Sequence, residues 1–179
     1  MTNIMTHQSK DNQPPSEWVR KHLHLVKPNS SVLDLACGTG RHTILMHNLG
    51  HKVTAVDINV HYIYRLQDPT IEVIECDLEN GKKWPFSGRS FDVIITTNYL
   101  YRPILHYMLS SLAKDGILIY ETFAVGNELF GKPSNPNFLL KDRELINICK
   151  SLKIISYESL IVHKPKKEKV QRIVAKNIE

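Results

Sequence analysis

One segment constrains the fold of this chain more than any other. Residues 32–40 read Val-Leu-Asp-Leu-Ala-Cys-Gly-Thr-Gly, a short apolar run that ends in two glycines, and a helical pattern begins directly afterwards at Arg41. Glycine tolerates the sharp turn that joins a strand to a helix, and it lets the backbone approach a ligand closely. The segment therefore predicts a strand, a ligand-binding turn and a helix in that order.

The same alternation of apolar runs with helical or polar stretches recurs along the chain, which predicts a parallel sheet covered by helices. An entry helix is expected to follow Ser16, which is a suitable N-cap. The predicted strands are Val32–Ala36, Lys52–Ile58, Ile71–Cys76, Phe91–Thr96 and Gly116–Phe123, and the predicted helices are Arg41–Leu49, Val60–Leu66 and Pro103–Leu112.

The C-terminal part of the chain has a different pattern. Two strand-like segments, Lys153–Val162 and Val170–Lys176, are separated only by a lysine-rich turn, which predicts an antiparallel hairpin. A long stretch rich in Gly, Pro and Asn, Ala124–Leu140, comes before them, and loops of this length are usually functional or disordered. We expect one domain over residues 16–179, preceded by a flexible segment over residues 1–15.

Composition excludes several classes of protein. Of the 179 residues, 42% are hydrophobic and 23% charged, and no apolar run approaches the ~20 residues of a membrane-spanning helix. Residues 1–15 lack the apolar stretch of a secretory signal, so we expect a cytoplasmic protein. The scattered cysteines Cys37, Cys76 and Cys149 predict free thiols. The histidines lack metal-ligand spacing, so no metal site is predicted.

Two kinds of ligand compete for the turn at residues 37–40. A dinucleotide-binding loop would carry a third glycine, but Arg41, His42 and Thr43 follow Gly40 instead. Asp34 is also an acid within the apolar strand, and its carboxylate would repel a pyrophosphate while attracting a cation. S-adenosylmethionine carries a sulfonium and an ammonium, so this charge favours a methyl donor. The alternative is an ordinary glycine turn with Asp34 as a capping group.

Two further acids end the next two predicted strands. Asp57 comes 17 residues after Gly40, close to the spacing that places a carboxylate against ribose hydroxyls, although such an acid can also cap a helix. Asp77 ends the third strand. Because ligands of open parallel sheets bind at the carboxyl ends of the strands, the three acids together indicate one ligand site.

These features resemble the class I S-adenosylmethionine-dependent methyltransferases over nearly the whole chain from Ser16. The resemblance implies a Rossmann-like, mostly parallel α/β sheet of seven strands in the order 3-2-1-4-5-7-6, with helices on both faces. It also implies S-adenosyl-L-methionine as the cofactor, with Asp77 accepting from the adenine amino group. The predicted cofactor-binding residues are Asp34, Ala36, Cys37, Gly38, Gly40, Asp57, Ile58, Cys76, Asp77, Leu78 and Asn98. A weaker resemblance, carried by residues 37–41, is to tellurite-resistance methyltransferases.

In that family the backbone after the fourth strand lies beside the transferring methyl group. The resemblance therefore predicts Asn98, Tyr99 and Tyr101 as catalytic residues, although the two tyrosines could instead pack a helix start ahead of Pro103. Glu121 ends the fifth strand and is a candidate base. His106 is another candidate base, and His42 is either a substrate contact or a surface residue.

Three functions remain open at this stage. The small size and the long loop favour a small-molecule acceptor, which the loop could cover. A net charge of +5 and the basic run Lys164–Lys169 permit an RNA acceptor, although that run is most simply a solvated turn. The chain lacks the Asn-Pro-Pro-aromatic segment of enzymes that methylate planar nitrogens. The third function is cofactor binding without catalysis, and the protein is expected to be a monomer or a homodimer.

Overall fold

The computed structural model describes residues 13–179, and seven strands of these residues form one sheet. The strands are β1 (Ser31–Leu35), β2 (Lys52–Asp57), β3 (Glu72–Glu75), β4 (Phe91–Thr97), β5 (Leu112–Phe123), β6 (Lys153–Val162) and β7 (Glu168–Lys176). Their order in the sheet is β3-β2-β1-β4-β5-β7-β6. Strands β1 to β5 are parallel, whereas β7 is antiparallel to both β5 and β6. The predicted strand order and the C-terminal hairpin are therefore confirmed.

Five α-helices and several single 3₁₀ turns connect the strands. The first helix is capped as predicted, because the Ser16 hydroxyl oxygen accepts a hydrogen bond from the Trp18 amide at 3.1 Å. The helices are α1 (Glu17–Lys21), α2 (Arg41–Asn48), α3 (His61–Tyr64), α4 (Leu105–Ser110) and α5 (Glu144–Ile148). Within residues 13–179, no helix combines the length and the apolar character that crossing a membrane requires.

The core has two halves, one on each face of the sheet, because alternate residues of each strand point to opposite faces. On one face, Trp18 of α1 and Met46 of α2 pack against residues such as Val32 and Ile95. On the other face, Met108 of α4 and Leu145 of α5 pack against a second set, which includes Leu33, Ile94 and Leu118. The helices therefore cover both faces, as predicted.

Several bounds differ from the prediction, and the largest differences concern β5, α3 and α5. Strand β5 begins at Leu112, which pairs with Phe91, but a register shift separates this pair from the regular pairing of Val93 with Ile117. Period-two patterning does not reveal a pair that lies beyond such an irregularity. Helix α3 is shorter than predicted, and α5 was not predicted, because a five-residue helix has too few turns for a clear period.

The stretch 124–140 is not a free loop, because several bonds hold it to the sheet. Ala124 bridges Leu140, and the Leu140 amide donates to the Phe123 carbonyl at 2.9 Å. From the other side, the Arg102 guanidinium donates to the carbonyls of Asn137 and Leu139 at 2.7 and 2.9 Å. The same guanidinium forms a bidentate ion pair with Glu144 at 2.7 and 2.9 Å. Arg102 thus joins the end of β4 to the long loop and to α5.

We predict that Arg102→Met lowers the free energy of unfolding by about 2 to 3 kcal/mol, because it leaves a half-buried carboxylate and two carbonyls without their donor. Urea denaturation measures this loss. Adding Glu144→Gln should recover part of it by removing the unpaired charge. Lys166→Met, at the exposed pair with Glu168, should cost under about 0.5 kcal/mol. Equal losses for Arg102→Met and Lys166→Met would contradict the prediction.

Candidate functional site

The candidate site lies where the carboxyl ends of the parallel strands meet one edge of the sheet. The register aligns these ends, since Leu35 of β1 pairs with Val56 of β2 and with Thr96 of β4. On the two sides, Asp57 pairs with Glu75 and Thr97 pairs with Glu121. The residues that follow β1, β2, β3, β4 and β5 therefore share one edge, as the prediction requires.

The glycine loop, residues 36–40, turns the chain from β1 into α2 through three left-handed residues. Ala36, Gly38 and Gly40 have φ values of 55°, 57° and 81°. The Cys37 amide donates to the Val56 carbonyl at 3.0 Å, and the Gly40 amide donates to the Cys37 carbonyl at 2.9 Å. These bonds hold the loop to β2. Burial raises the pKa of the Cys37 thiol, so this cysteine stays protonated.

The two glycines of the loop differ in what surrounds them. A Cβ atom at Gly40 would lie 2.8 Å from Cγ1 of Ile63, so this glycine is required for the packing of α3 against the loop. A Cβ atom at Gly38 would meet no atom within 4 Å. Gly38 therefore exposes its backbone to open space at the edge of the sheet, which is the arrangement a ligand-binding turn needs.

Asp34 is buried, with 2% of its surface exposed, and it binds the first turn of α2. The Thr43 hydroxyl donates to its carboxylate at 2.6 Å, and the Thr43 amide donates to it as well. Burial raises the pKa of Asp34 to about 6, opposed by these Thr43 bonds and by the charge of Arg41. Asp34 therefore has the capping role that the sequence left open. A buried acid can also attract a cation at the loop, so the cofactor role stays a prediction.

Asp57 connects β2 to the glycine loop. Its carboxylate accepts the Gly38 amide at 2.8 Å and the Asn59 amide at 3.0 Å, through different oxygens. Each oxygen has a further lone pair with which it can accept a hydroxyl. Ile58, the next residue, has 64% of its surface exposed, which leaves an apolar face beside the acid. This pair presents the polar and apolar surfaces that a nucleoside would need.

The residues that follow β3 pack against the tyrosines that follow β4. Tyr99 and Tyr101 lie in the same half of the core as Cys76 and Leu78. The Tyr101 hydroxyl donates to the Glu79 carbonyl at 3.3 Å, while the Asp77 carboxylate accepts the Glu79 amide at 2.8 Å. Burial raises the pKa of the Tyr99 hydroxyl, with the Glu79 charge adding to the effect.

The positions of the two tyrosines revise their predicted role. The Tyr101 hydroxyl is bonded to the loop after β3, and the Tyr99 carbonyl accepts the hydroxyl of the buried Tyr120 of β5 at 2.8 Å. The alternative interpretation, that Tyr99 and Tyr101 pack, fits this geometry better than a catalytic role. Asn98 differs from them because its side chain is exposed. Its backbone has a φ of 58°, and its backbone N–H donates to the Glu121 carbonyl at 2.9 Å. Asn98 therefore remains a candidate for the centre of the site.

Glu121 is placed at the edge as predicted, but its carboxylate is already bound. The Ser16 hydroxyl donates to one oxygen at 2.7 Å, and Arg172 of β7 donates to the other at 3.1 Å. Arg172 also binds Glu158 of β6 at 2.9 Å. Both carboxylate oxygens of Glu121 already accept a donor from the protein, so this geometry favours a positioning role for Glu121 over the predicted role as a base.

His42 has neither of the roles considered for it. It is buried, with 2% of its surface exposed, and its Nε2 atom accepts the Ser16 amide at 3.0 Å. Burial and the neighbouring charge of Arg41 lower the pKa of His42 to about 3, so the ring is neutral. His42 and Glu121 together hold Ser16, and through it the start of α1, against the edge of the sheet.

Arg41 is a site residue that the sequence interpretation missed. Its guanidinium is half-buried and donates to the Thr97 hydroxyl at 3.3 Å, the Pro14 carbonyl at 3.2 Å and the Gln13 side chain at 3.4 Å. The signal was its position directly after Gly40, which places a cation at the start of a helix and next to the glycine loop. The predicted flexible segment includes residues 13–15, which are described here, whereas residues 1–12 lie outside the described residues.

The basic turn between β6 and β7 lies at the same edge of the sheet, because Val170 near its end pairs with Phe123 at the end of β5. Two of its lysines have partners. Lys166 forms an ion pair with Glu168 at 3.0 Å, and the Lys167 ammonium lies 4.6 Å from the centre of the Phe130 ring. The turn is exposed, as predicted.

Comparison with known proteins identifies the type of domain. A family model described as a methyltransferase domain matches residues 32–116, which run from β1 into β5. No curated protein matches the chain.

Three solved structures with the same fold are distant from this chain in sequence. TehB from Haemophilus influenzae superposes with a TM-score of 0.73 at 22% identity, and the match covers 89% of this chain and 61% of that protein. The N-methyltransferase NodS from Bradyrhizobium japonicum has a TM-score of 0.68 at 16% identity, covering 92% and 99% of the two chains. A Burkholderia thailandensis 1,6-didemethyltoxoflavin-N1-methyltransferase, solved with S-adenosylhomocysteine, has a TM-score of 0.65 at 17% identity, covering 90% and 76%.

The two loop glycines predict different costs of substitution. Gly38→Ala should lower the free energy of unfolding by about 1 kcal/mol, because alanine is strained at positive φ but meets no neighbour. Gly40→Ala should cost roughly 2 to 4 kcal/mol, because the new methyl group also overlaps Ile63. Thermal and urea denaturation measure both losses. Equal losses would show that Ile63 yields without cost.

The buried Asp34 predicts a specific pH dependence of stability. Its pKa is raised in the folded state from 3.8 to about 6, so its charged form costs stability as pH rises through that interval. Between pH 4 and pH 7, the wild type should therefore lose roughly 2 to 2.5 kcal/mol relative to Asp34→Asn. Thr43→Val should extend this loss to higher pH. A stability difference between wild type and Asp34→Asn that does not change with pH would rule the assignment out.

Proposed function

We propose that this chain, whose residues 32–116 match a methyltransferase domain, is a class I S-adenosylmethionine-dependent methyltransferase that transfers a methyl group from S-adenosyl-L-methionine to a small-molecule acceptor. The observation that carries this proposal is the geometry of the glycine loop. Gly38 exposes its backbone at the edge of the sheet, while Asp57 binds the same residue from the next strand. The loop and the acid that would bind ribose thus form one surface.

The residues at this edge fit the cofactor along its length. Asp57 has free lone pairs for the ribose hydroxyls, and the exposed Ile58 offers an apolar face to the adenine ring. Asp77 and the half-buried Leu78 follow on the next strand. At the other end of the loop, the buried carboxylate of Asp34 supplies negative charge beneath a cationic ligand.

The bound cofactor supplies an electrophilic methyl group on a sulfonium, which an acceptor displaces in line. The protein lowers this barrier mainly by holding the acceptor ~3 to 3.5 Å from the methyl group. Thr97, Asn98 and the ion-paired Glu121 lie at the ends of β4 and β5, where this positioning would occur. They would orient the acceptor by hydrogen bonds.

The proton balance favours an acceptor that needs no base from the protein. Each candidate base is engaged elsewhere: Glu121 with Ser16 and Arg172, His42 with the Ser16 amide, and Tyr101 with the Glu79 carbonyl. His106 is exposed and stacks on Tyr107. We therefore propose an acceptor atom that is already deprotonated at neutral pH, a soft anion such as the thiolate of an acidic thiol.

Two features support a small acceptor. The stretch 124–140 is bonded to the ends of β5 and β4, and it exposes apolar side chains on Val125, Leu129 and Phe138. Such side chains suit an organic molecule better than a phosphate backbone. In addition, the Burkholderia enzyme of the same fold is named for a small heterocyclic acceptor.

One observation favours RNA as a second candidate acceptor. The basic turn, which begins at the exposed Lys164, lies at the same edge of the sheet as the site. Lys132, in the stretch 124–140, is exposed as well. Lysines placed in this way could contact phosphates. Ion pairing of Lys166 with Glu168 and the contact of Lys167 with Phe130 reduce the free charge of this surface. We therefore rank RNA second, and we retain the cytoplasm as the proposed location.

The cofactor assignment predicts tight binding of S-adenosylhomocysteine by the wild type and about 10- to 50-fold weaker binding by Asp57→Asn, because the amide accepts fewer hydroxyl donors than the carboxylate. Calorimetric titration measures both affinities. Asp115→Asn, at the opposite end of β5, is the matched control and should bind like the wild type. Failure of the wild type to bind would refute the proposed function.

The acceptor class is tested by methyl transfer from tritiated S-adenosylmethionine into extract fractions. Label in the low-mass fraction is the expected result. Label in acid-precipitable RNA, abolished by replacing Lys164, Lys166 and Lys167 with glutamate, would replace the small-molecule proposal with the RNA one. Persistent absence of any labelled product, together with tight binding of S-adenosylhomocysteine, would indicate cofactor binding without catalysis.

A further inference from the structure

Arg41 differs from the other guanidiniums at this edge of the sheet. Arg102 binds the carboxylate of Glu144, and Arg172 binds those of Glu121 and Glu158. Among residues 13–179, by contrast, Arg41 forms no ion pair with any carboxylate and contacts three neutral acceptors at 3.2 to 3.4 Å. A half-buried guanidinium with long, neutral contacts has lost hydration without gaining an anionic partner.

The position of Arg41 relates it to the charges of the glycine loop. It is the first residue of α2, directly after Gly40, and its guanidinium reaches Thr97 at the end of β4. The buried carboxylate of Asp34 lies under the same helix start and interacts electrostatically with Arg41. One negative and one positive group therefore lie at the end of the glycine loop where α2 begins.

We propose that Arg41 binds the carboxylate of the methionine part of the cofactor. This inference rests on the proposed function. With the ribose at Asp57, the sulfur and the amino-acid part extend past Gly38 toward β4. The amino acid is a zwitterion, so its ammonium and the sulfonium favour the side of Asp34, while its carboxylate requires a cation. Arg41 supplies that cation, and a guanidinium can bind a carboxylate through two parallel hydrogen bonds.

The lowered pKa of Arg41 agrees with this role. Burial lowers it, and the negative charges of Glu121, Asp34 and Glu168 only partly oppose the effect. Glu121 and Glu168 are themselves paired with Arg172 and Lys166, so their charge is largely balanced. A ligand carboxylate would give Arg41 the anionic partner that residues 13–179 do not provide.

A pair of ligands separates this role from a structural one. S-adenosylhomocysteine carries the amino acid, whereas 5′-methylthioadenosine shares the adenine, ribose and thioether but lacks it. Calorimetric titrations of both ligands into the wild type and Arg41→Met should show about 10- to 100-fold weaker binding of S-adenosylhomocysteine by the variant. Binding of 5′-methylthioadenosine should change less than about 3-fold. Arg41→Lys, which keeps the charge but not the fork, should lie between.

Arg20→Met is the matched control, because it removes one exposed positive charge outside the site and should leave both affinities unchanged. Equal weakening of both ligands by Arg41→Met would overturn the proposal, because it would mean that the side chain only supports the loop. Unchanged binding of S-adenosylhomocysteine by Arg41→Met would overturn it as well, while leaving the proposed function intact. Absence of binding by the wild type would remove both proposals.

Discussion

The hydrogen bonds between Asp34 and Thr43 are the interaction on which the rest of this site depends. They join the middle strand of the parallel part of the sheet to the first turn of α2, so the residues between them must form a tight turn. Three left-handed residues within the five positions 36–40 are costly unless the flanking elements are fixed. This rigidity requires a buried carboxylate, and burial raises the pKa of Asp34 to about 6. A turn held in this way exposes Gly38 without having to reorganise around a ligand.

A second set of contacts joins the ends of the chain across the same edge. Ser16 binds both His42 and Glu121, and Arg172 binds Glu121 and Glu158. The N-terminal helix is thereby attached to α2, β5, β7 and β6 at once. Two of the groups that resemble catalytic residues in the sequence, a histidine and a glutamate, are used in this assembly. The chain thus uses these titratable side chains to hold its N-terminal helix against the edge of the sheet.

Features that depend on residues close in sequence could be predicted, whereas features that depend on contacts between residues distant in sequence could not. The acids at the ends of β1, β2 and β3 were predicted because each follows its own strand, and parallel strands bring their carboxyl ends to one edge. The roles of Tyr99, Tyr101, Glu121 and His42 could not be obtained in this way. Each depends on a partner distant in sequence: Glu121 meets Ser16 across 105 residues and Arg172 across 51. Helix α5 was missed because it is too short to show a period.

The sequence by itself determined the parallel sheet with its ligand turn, and it favoured a cationic ligand over a dinucleotide. Three local features carry this prediction: the alternation of strands with helices, the glycine turn without a third glycine, and the acid inside β1. Local features of this kind can be recognised in the sequence alone. Only the tertiary structure decided which polar groups are free to act. In the folded protein Glu121 is ion-paired with Arg172, and the buried His42 ring is neutral. The Tyr101 hydroxyl binds the loop after β3, and Arg41 has no carboxylate partner among the described residues. The reason is that a charged side chain is free to act only if no neighbour in space already binds it. Those neighbours come from segments that are distant in sequence, so no local pattern reveals them.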